Sequence, residues 1–272
     1  MTKTFETTSV PLPARLALES LVGIASALTV SPAVTIIDKA IVSNASGLES
    51  LLPSIVNSTK GMVLRPYAFA RNPAFLLIWG VYSGTYIVGN AVTAICELRS
   101  SDAFLPKFVL GSAANVTLSA LKDKAFARMF AAGSTANLKM PNLSMFLFAS
   151  RDSMTILSSF SLPPKVSNNL LQGMFNLPKM EADVLAQVVT PCAMQIFSTP
   201  LHLYGLDLYN RPGGSGTNVV TNTSRYEFVK REYGKTVLAR MSRILPAFGI
   251  GGVLNKEGRK GALVWAEEAF GK

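Results

Sequence analysis

The sequence predicts an all-α membrane protein, in which six transmembrane helices form three helix-pair repeats in a pseudo-threefold bundle. Only 15% of the 272 residues are charged and 49% are hydrophobic, whereas about a quarter of the residues of an ordinary soluble domain are charged. Residues 72–96 contain no charged side chain over 25 positions, which is enough to cross the hydrocarbon core of a bilayer. The third observation is a short motif that recurs along the chain.

That motif places an arginine, and in two copies a proline, at the start of an apolar stretch. It reads Arg71-Asn-Pro73-Ala-Phe75, then more weakly Arg151-Asp152-Ser-Met154, then Arg243-Ile-Leu-Pro246-Ala-Phe248. Positions 73, 154 and 246 are 81 and 92 residues apart. Because recurrence at a similar spacing is typical of repeat architectures, we interpret the chain as three repeats.

The repeats define the expected domain organisation. Residues 14–258 are predicted to form one six-helix domain, with repeats at about 14–98, 104–171 and 180–258. Residues 1–13 are predicted to be a flexible N-terminal tail, since they lack the apolar core of a signal peptide. Residues 259–272 are predicted to be a basic C-terminal tail.

The first three helices are predicted from uncharged runs. The first covers 15–37, contains Pro32, and is expected to end at Asp38. The second, residues 72–96, is the strongest predicted span. The third covers 104–130 and reaches Lys122 and Asp123, which we interpret as a helix end at the membrane surface.

The last three helices carry more interruptions. The fourth covers 142–162, with Arg151 and Asp152 in its middle. The fifth covers 184–206, and the sixth covers 236–255. The alternative to a membrane bundle is a soluble helical protein with interrupted apolar helices, but the low charge and the 25-residue run favour the membrane.

The composition also argues against several classes of function. The formal net charge is +10, but the Lys and Arg residues are scattered and match no nucleic-acid-binding signature, so we expect no nucleic-acid partner. The excess of positive charge is typical of loops that face anionic lipid headgroups. His202 is the only histidine, which removes most metal and triad chemistry. We expect no enzymatic activity, no metal and no cofactor.

These motifs together resemble the mitochondrial carrier family, over about residues 14–258. Its members have three helix-pair repeats, a proline that bends each odd helix, and an Arg-x-x-Pro stretch in the even helices. Arg240-Met-Ser-Arg243-Ile-Leu-Pro246 is the best local match, and Pro32 and Pro200 fall where the family bends. The resemblance implies helix-kink or packing roles for Pro32, Pro73, Pro200 and Pro246.

The gate motifs of that family are degenerate in this chain. In the odd helices the acidic gate positions correspond to Val34, Leu121 and His202. In the even helices they correspond to Ser83, Pro164 and Lys256. No acid stands at any of the six positions, so gates of this kind would have to close by apolar packing or would not close.

The resemblance further implies three substrate-binding residues, Arg151, Asp152 and Arg243, at the mid-depth contact points of the even helices. Arginine presents a planar fork to a carboxylate, and aspartate can accept from an ammonium group. Ionisable residues within a membrane span are costly, and they are functional candidates for that reason.

Two functions remain open from the sequence. The first is transport of a small carboxylated metabolite, such as an amino or keto acid. The alternative is a non-transporting carrier homologue that acts as a membrane-embedded adaptor or complex subunit in mitochondrial membrane organisation. Either function implies a mitochondrial membrane, the inner rather than the outer. The expected partners are the lipid bilayer, including anionic lipids such as cardiolipin, and a small-molecule substrate or partner membrane proteins.

Overall fold

The computed structural model describes residues 10–130, 139–211 and 220–270 of the chain. Within these ranges the regular secondary structure is entirely helical, which confirms the all-α prediction. The α-helices are α1 (Leu12–Ala45), α2 (Leu51–Leu64), α3 (Pro66–Ala70), α4 (Pro73–Leu98), α5 (Phe104–Met129), α6 (Asn142–Ile156), α7 (Leu162–Lys165), α8 (Lys179–Asn210), α9 (Asn222–Ser242) and α10 (Gly251–Phe270). Three π-helical segments, Leu157–Ser161, Val166–Gln172 and Leu245–Ile250, lie between them.

Four helices are long and apolar enough to cross a membrane. They are α1, α4, α5 and α8, and they contain 34, 26, 26 and 32 residues. At a rise of 1.5 Å per residue even the shorter two reach about 39 Å, which exceeds the roughly 30 Å of bilayer hydrocarbon. The chain is therefore a helical membrane protein.

The fourth and sixth predicted helices are interrupted in the structure. The stretch 142–172 consists of α6, α7 and two π-helical segments, and the stretch 222–270 consists of α9 and α10 joined by the segment Leu245–Ile250. The last of these segments contains Pro246, which cannot donate the backbone hydrogen bond of a regular helix.

Hydrogen bonds at the end of this π-helical segment compensate for its departure from the α-helical pattern. The N–H of Gly251 donates to the carbonyl of Pro246, five residues back. The hydroxyl of Tyr86, from α4, donates to the carbonyl of Ala247 over 3.3 Å. Interruptions are tolerated within a membrane when neighbouring helices bond to the freed backbone groups in this way.

The other three prolines singled out in the sequence occupy different helical positions. Pro32 lies inside α1 and Pro200 inside α8, and both helices continue through them. Pro73 is the first residue of α4, where a missing N–H is not needed. The side chain of Asn72 caps this helix by accepting from the N–H of Ala74 at 2.9 Å. Pro73 therefore begins a helix and does not bend one.

The helices pack around α1, which contacts α2, α4 and α10, while α6 packs against α8. The largest apolar side chains of the buried core include Ile41, Ile78, Phe126, Phe148, Leu203 and Leu206. Gly205 is needed where α6 meets α8, because a Cβ atom there would lie 2.7 Å from the ring of Phe148. This close approach brings His202 of α8 beside Arg151 of α6.

The two chain ends differ from simple tails. Most of the predicted N-terminal tail, residues 1–13, lies outside the described residues, and α1 begins at Leu12. The predicted C-terminal tail, residues 259–272, is helical as far as Phe270, with Leu263 and Ala266 buried.

A buried ionic cluster as the candidate functional site

Eight polar side chains from five parts of the chain meet inside the bundle, and we call them the central cluster. They are Asp38 of α1, Lys122 and Asp123 of α5, Arg151 and Asp152 of α6, His202 of α8, Arg240 of α9, and Arg243 directly after α9. Arg151 and Arg240 are only 1% and 0% exposed. Charged residues are almost never buried this completely unless they are paired.

Six of these side chains form one run of alternating charge. Arg243 donates to Asp38 over 2.5 Å, and Lys122 bridges Asp38 and Asp123 at 2.9 and 2.8 Å. Arg151 then bridges Asp123 at 2.5 Å and Asp152 at 2.6 Å. The run therefore links α1, α5, α6 and the end of α9 through ion pairs alone.

Arg240 lies outside this alternating run. Its guanidinium donates to Gln195 Oε1 at 3.1 Å and to Ser198 Oγ at 3.2 Å, and it contacts His202 Nδ1 at 2.6 Å. Within the described ranges no carboxylate lies within ion-pair distance of it. Arg240 is thus a fully buried cation held by neutral groups.

Asp152 shows the opposite imbalance at the far end of the run. Its Oδ1 atom accepts from Arg151, but its Oδ2 atom is buried and has no hydrogen-bond donor among the residues that the structure describes. A buried carboxylate oxygen without a donor is costly. The cluster therefore contains both a cation without an acid and a carboxylate oxygen without a donor.

His202 lies between the two deepest arginines. Its Nδ1 atom is 2.7 Å from Arg151 and 2.6 Å from Arg240. Arginine offers only donors, so Nδ1 must be the acceptor for both, and the ring proton is assigned to Nε2. His202 is therefore neutral, and it separates two cations that would otherwise repel each other directly.

A second ionic cluster lies nearer the start of α1, and it joins Arg15, Glu19, Glu97 and Arg259. Glu19 accepts from Arg15 at 2.9 Å and from Arg259 at 2.8 Å, and Arg15 also donates to Glu97. Glu19 and Asp38 are 19 residues apart on the same helix, which corresponds to about 28 Å. The two clusters are thus separated by roughly the thickness of bilayer hydrocarbon.

The structure brings together the three residues predicted to bind substrate. Arg151 and Asp152 are in direct contact, and Arg243 is connected to them through Asp38, Lys122 and Asp123. Their role in substrate binding stays a prediction. A cavity of about 530 Å³ lies between α5 and α6, and none of the three residues lines it.

Five cluster members were missed from the sequence, namely Asp38, Lys122, Asp123, His202 and Arg240. The prediction that Lys122 and Asp123 mark a helix end at the membrane surface was wrong, because their side chains are 6% and 5% exposed. Helix α5 continues to Met129 and α1 to Ala45, so the charges lie within helices. The sequence did contain a signal of this burial, because the apolar Phe126 and Ala127 lie one helical turn after Lys122 and Asp123, on the same faces of α5.

Comparison with known proteins corrects the family resemblance. No curated protein and no solved structure matches this chain. A family model described as "Probable citrulline exporter" matches residues 22–263, a range that contains the whole central cluster. The resemblance to the mitochondrial carrier family was therefore wrong, and the mitochondrial localisation that rested on it stays a prediction. The chain belongs to the probable citrulline exporter family.

Proposed function

We propose that this protein exports citrulline across a membrane and binds it in the central cluster as an α-amino-acid zwitterion. The observation that carries this proposal is the double imbalance of the cluster. Arg240 is a buried cation without an acid, and Asp152 Oδ2 is a buried carboxylate oxygen without a donor. A zwitterion supplies both missing partners in one molecule.

The chemistry of the two ends matches an amino acid. An α-ammonium group offers three donors, and Asp152 Oδ2 can accept one of them. An α-carboxylate fits the planar fork of Arg240 in a bidentate arrangement, which is among the strongest hydrogen-bonded pairs in proteins. Binding would replace the neutral partners that Arg240 holds in the structure, Gln195 and Ser198.

The net charge of the cluster favours a substrate whose side chain is not cationic. The cluster contains four cations and three carboxylates, so with His202 neutral it carries one excess positive charge. An amino acid with a cationic side chain would add a like charge to this buried site. The ureido side chain of citrulline is neutral and avoids that repulsion.

Transport assays on the purified full-length protein test the proposal. Proteoliposomes loaded with labelled citrulline, ornithine, glutamate or a 2-oxo acid should release citrulline much faster than empty liposomes, and should release little ornithine. Release of glutamate or the oxo acid in preference to citrulline would show that the excess positive charge selects anions. Release of none of them would refute the exporter proposal and leave a membrane adaptor as the function.

The proposed architecture is a bundle of six membrane-spanning stretches, with 142–172 and 222–270 completing the set. In both stretches a run of twelve uncharged residues, 153–164 and 244–255, follows the cluster residues along the chain. Twelve residues cover about 18 Å, less than the hydrocarbon thickness, so the charged residues that flank each run need shielding by neighbouring helices. The burial of these charges supports that arrangement. The threefold relation of the repeats stays a prediction.

A topology measurement tests the six spans. An even number of spans places the N- and C-termini on the same side of the membrane. Epitope tags at the two ends should therefore become accessible to antibody together when one face of the membrane is opened. Tags on opposite faces would contradict six spans.

A further inference from the structure

A second cavity lies between α1 and α2, and it contains none of the central-cluster residues. It has a volume of about 210 Å³ and is enclosed by α1, α2, α3 and the start of α4. Two cations line it, Lys39 of α1 and Arg65 between α2 and α3. In the described part of the chain neither side chain forms an ion pair, in contrast to most of the cations inside the bundle.

Four neutral polar side chains, Thr35, Asn57, Ser58 and Asn72, complete the polar lining of this pocket. The hydroxyl of Ser58 is buried and has no hydrogen-bond partner among the described residues. Asn72 uses its carbonyl to cap α4, so its NH₂ group remains as a donor. Asn57 donates its NH₂ group to Glu49 at 2.6 Å, so its carbonyl oxygen remains as a neutral acceptor, and Glu49 does not line the pocket. Two cations and the donors of Ser58 and Asn72 outnumber that acceptor and match a group with several anionic oxygens.

Helix α2 indicates the depth of this pocket. Leu52, Val56 and Val63 are 72%, 49% and 67% exposed, and their spacing places them on one face of the helix. At 14 residues α2 is too short to cross a bilayer. A short helix with an outward apolar face is typical of the membrane interface. The pocket beneath it is then level with the lipid headgroups.

We infer that this pocket binds the phosphate group of a membrane phospholipid. The headgroup phosphate would contact Lys39, Arg65 and the Ser58 hydroxyl, and the acyl chains would lie along the exposed apolar face of α2. Free inorganic phosphate has the same chemistry, but it would make no use of that apolar face. The inference is independent of citrulline transport, because no central-cluster residue lines the pocket.

Lipid retention by the purified full-length protein tests this inference. The protein is expressed in bacteria, washed extensively in neutral detergent, and examined by native mass spectrometry after incubation with phosphatidylglycerol. We expect one phosphatidylglycerol to be retained per chain, and we expect Lys39→Gln and Arg65→Gln each to reduce the retained fraction roughly tenfold. Ser58→Ala should reduce it less. Thermal unfolding of each variant in phosphatidylcholine nanodiscs checks that the fold is intact.

Lys60→Gln is the matched control, since Lys60 is an exposed cation on α2 that does not line the pocket. It should leave retention unchanged. Equal loss from Lys60→Gln and Lys39→Gln would overturn the inference, because the effect would then be general surface attraction. Displacement of the lipid by millimolar inorganic phosphate, with phosphate bound in its place, would also overturn it and assign the pocket to free phosphate.

Discussion

The two ionic clusters are both buried between helices, but they differ in balance. The second cluster pairs two arginines with two glutamates, and both carboxylate oxygens of Glu19 accept from an arginine. The central cluster has four cations and three carboxylates, and Arg240 has no acid partner in the described ranges. The second cluster also lies nearer the surface, since the side chain of Glu97 is 27% exposed.

This difference separates a structural role from a binding role. A buried ion-pair network contributes little net stability over apolar packing, but removal of one partner leaves an uncompensated charge. The second cluster balances its own charges and joins α1, α4 and α10; Arg259 Nη2 has no hydrogen-bond partner among the described residues, but it lies 3.7 Å from the Glu97 carboxylate. The central cluster leaves complementary groups unsatisfied, so an external ligand lowers its free energy. The comparison therefore assigns stability to the second cluster and ligand binding to the central one.

The largest expected effect is a loss of protein stability when Arg151, which lies within the alternating run, is replaced. Arg151→Met takes away the cation that bridges Asp123 and Asp152, and it should destabilise the protein by about 3–5 kcal/mol. Thermal or denaturant unfolding in detergent measures this change. Arg71→Met, at an exposed position, is the control and should change stability very little. Equal stability of the two variants would show that the alternating run is not a supporting network.

The next largest effect is on the binding and transport of citrulline. Asp152→Asn removes a charge at constant shape and Arg240→Gln replaces the guanidinium with a shorter neutral amide, and each should weaken citrulline binding by roughly 1.5–3 kcal/mol, the scale of a charged hydrogen bond. Proteoliposome efflux and binding calorimetry measure this. Arg240→Gln removes a buried cation that has no acid partner in the described ranges, so its unfolding temperature should stay close to wild type. Asp152→Asn weakens one of the two ion pairs of Arg151 and should lower the unfolding temperature modestly.

Two surface variants control for the change of charge in this experiment. Arg71→Gln and Glu268→Gln alter exposed residues outside both clusters, and they should transport normally. If Arg240→Gln and Asp152→Asn also transport normally, the imbalance of the central cluster has no role in binding. If they unfold instead, the cluster is structural, like the second one.

The smallest effect is expected in the second cluster. Glu19→Gln leaves Arg15 paired with Glu97 and should destabilise the protein by about 1–2 kcal/mol, since the neighbouring side chains are partly hydrated. Transport per folded molecule should stay within about twofold of wild type. Unfolding in detergent and efflux normalised to folded protein measure the two quantities. A large loss of transport with unchanged stability would remove the distinction between the clusters.

Much of the fold was predictable because apolar runs and prolines are local signals. The predicted second and third helices, 72–96 and 104–130, agree closely with Pro73–Leu98 and Phe104–Met129. Arg151, Asp152 and Arg243 were singled out through the carrier resemblance, with the supporting argument that charges inside apolar stretches are expensive wherever they occur. None of these inferences requires knowledge of which helices touch.

The partners of those charges were not predictable from the same signals. Asp38 was predicted to end the first helix, and Lys122 was placed at the membrane surface, because each closes an uncharged run. Helix α1 continues for about two more turns beyond Asp38, and both residues are buried inside the bundle. Whether such a charge faces solvent or the bundle depends on packing between distant segments. The family resemblance failed for a related reason. Prolines within helices and arginines ahead of them recur in unrelated membrane proteins, since lipid imposes the same constraints on all of them.

The π-helical segment Leu245–Ile250 has a consequence for how this sequence tolerates length changes. Each π turn holds one more residue than an α turn, so the residues after it are rotated by about 100° relative to an uninterrupted helix. Arg243 precedes the segment and contacts Asp38, while Arg259 follows it and contacts Glu19. A one-residue deletion within the segment would therefore restore a regular α-helix and leave both Arg243 and Arg259 facing their partners, whereas the same deletion in a regular part of the helix would turn Arg259 away from Glu19 by about 100°. Homologues that lack the extra residue should keep the partner of Glu19, and their alignment with this chain needs a single gap at the segment.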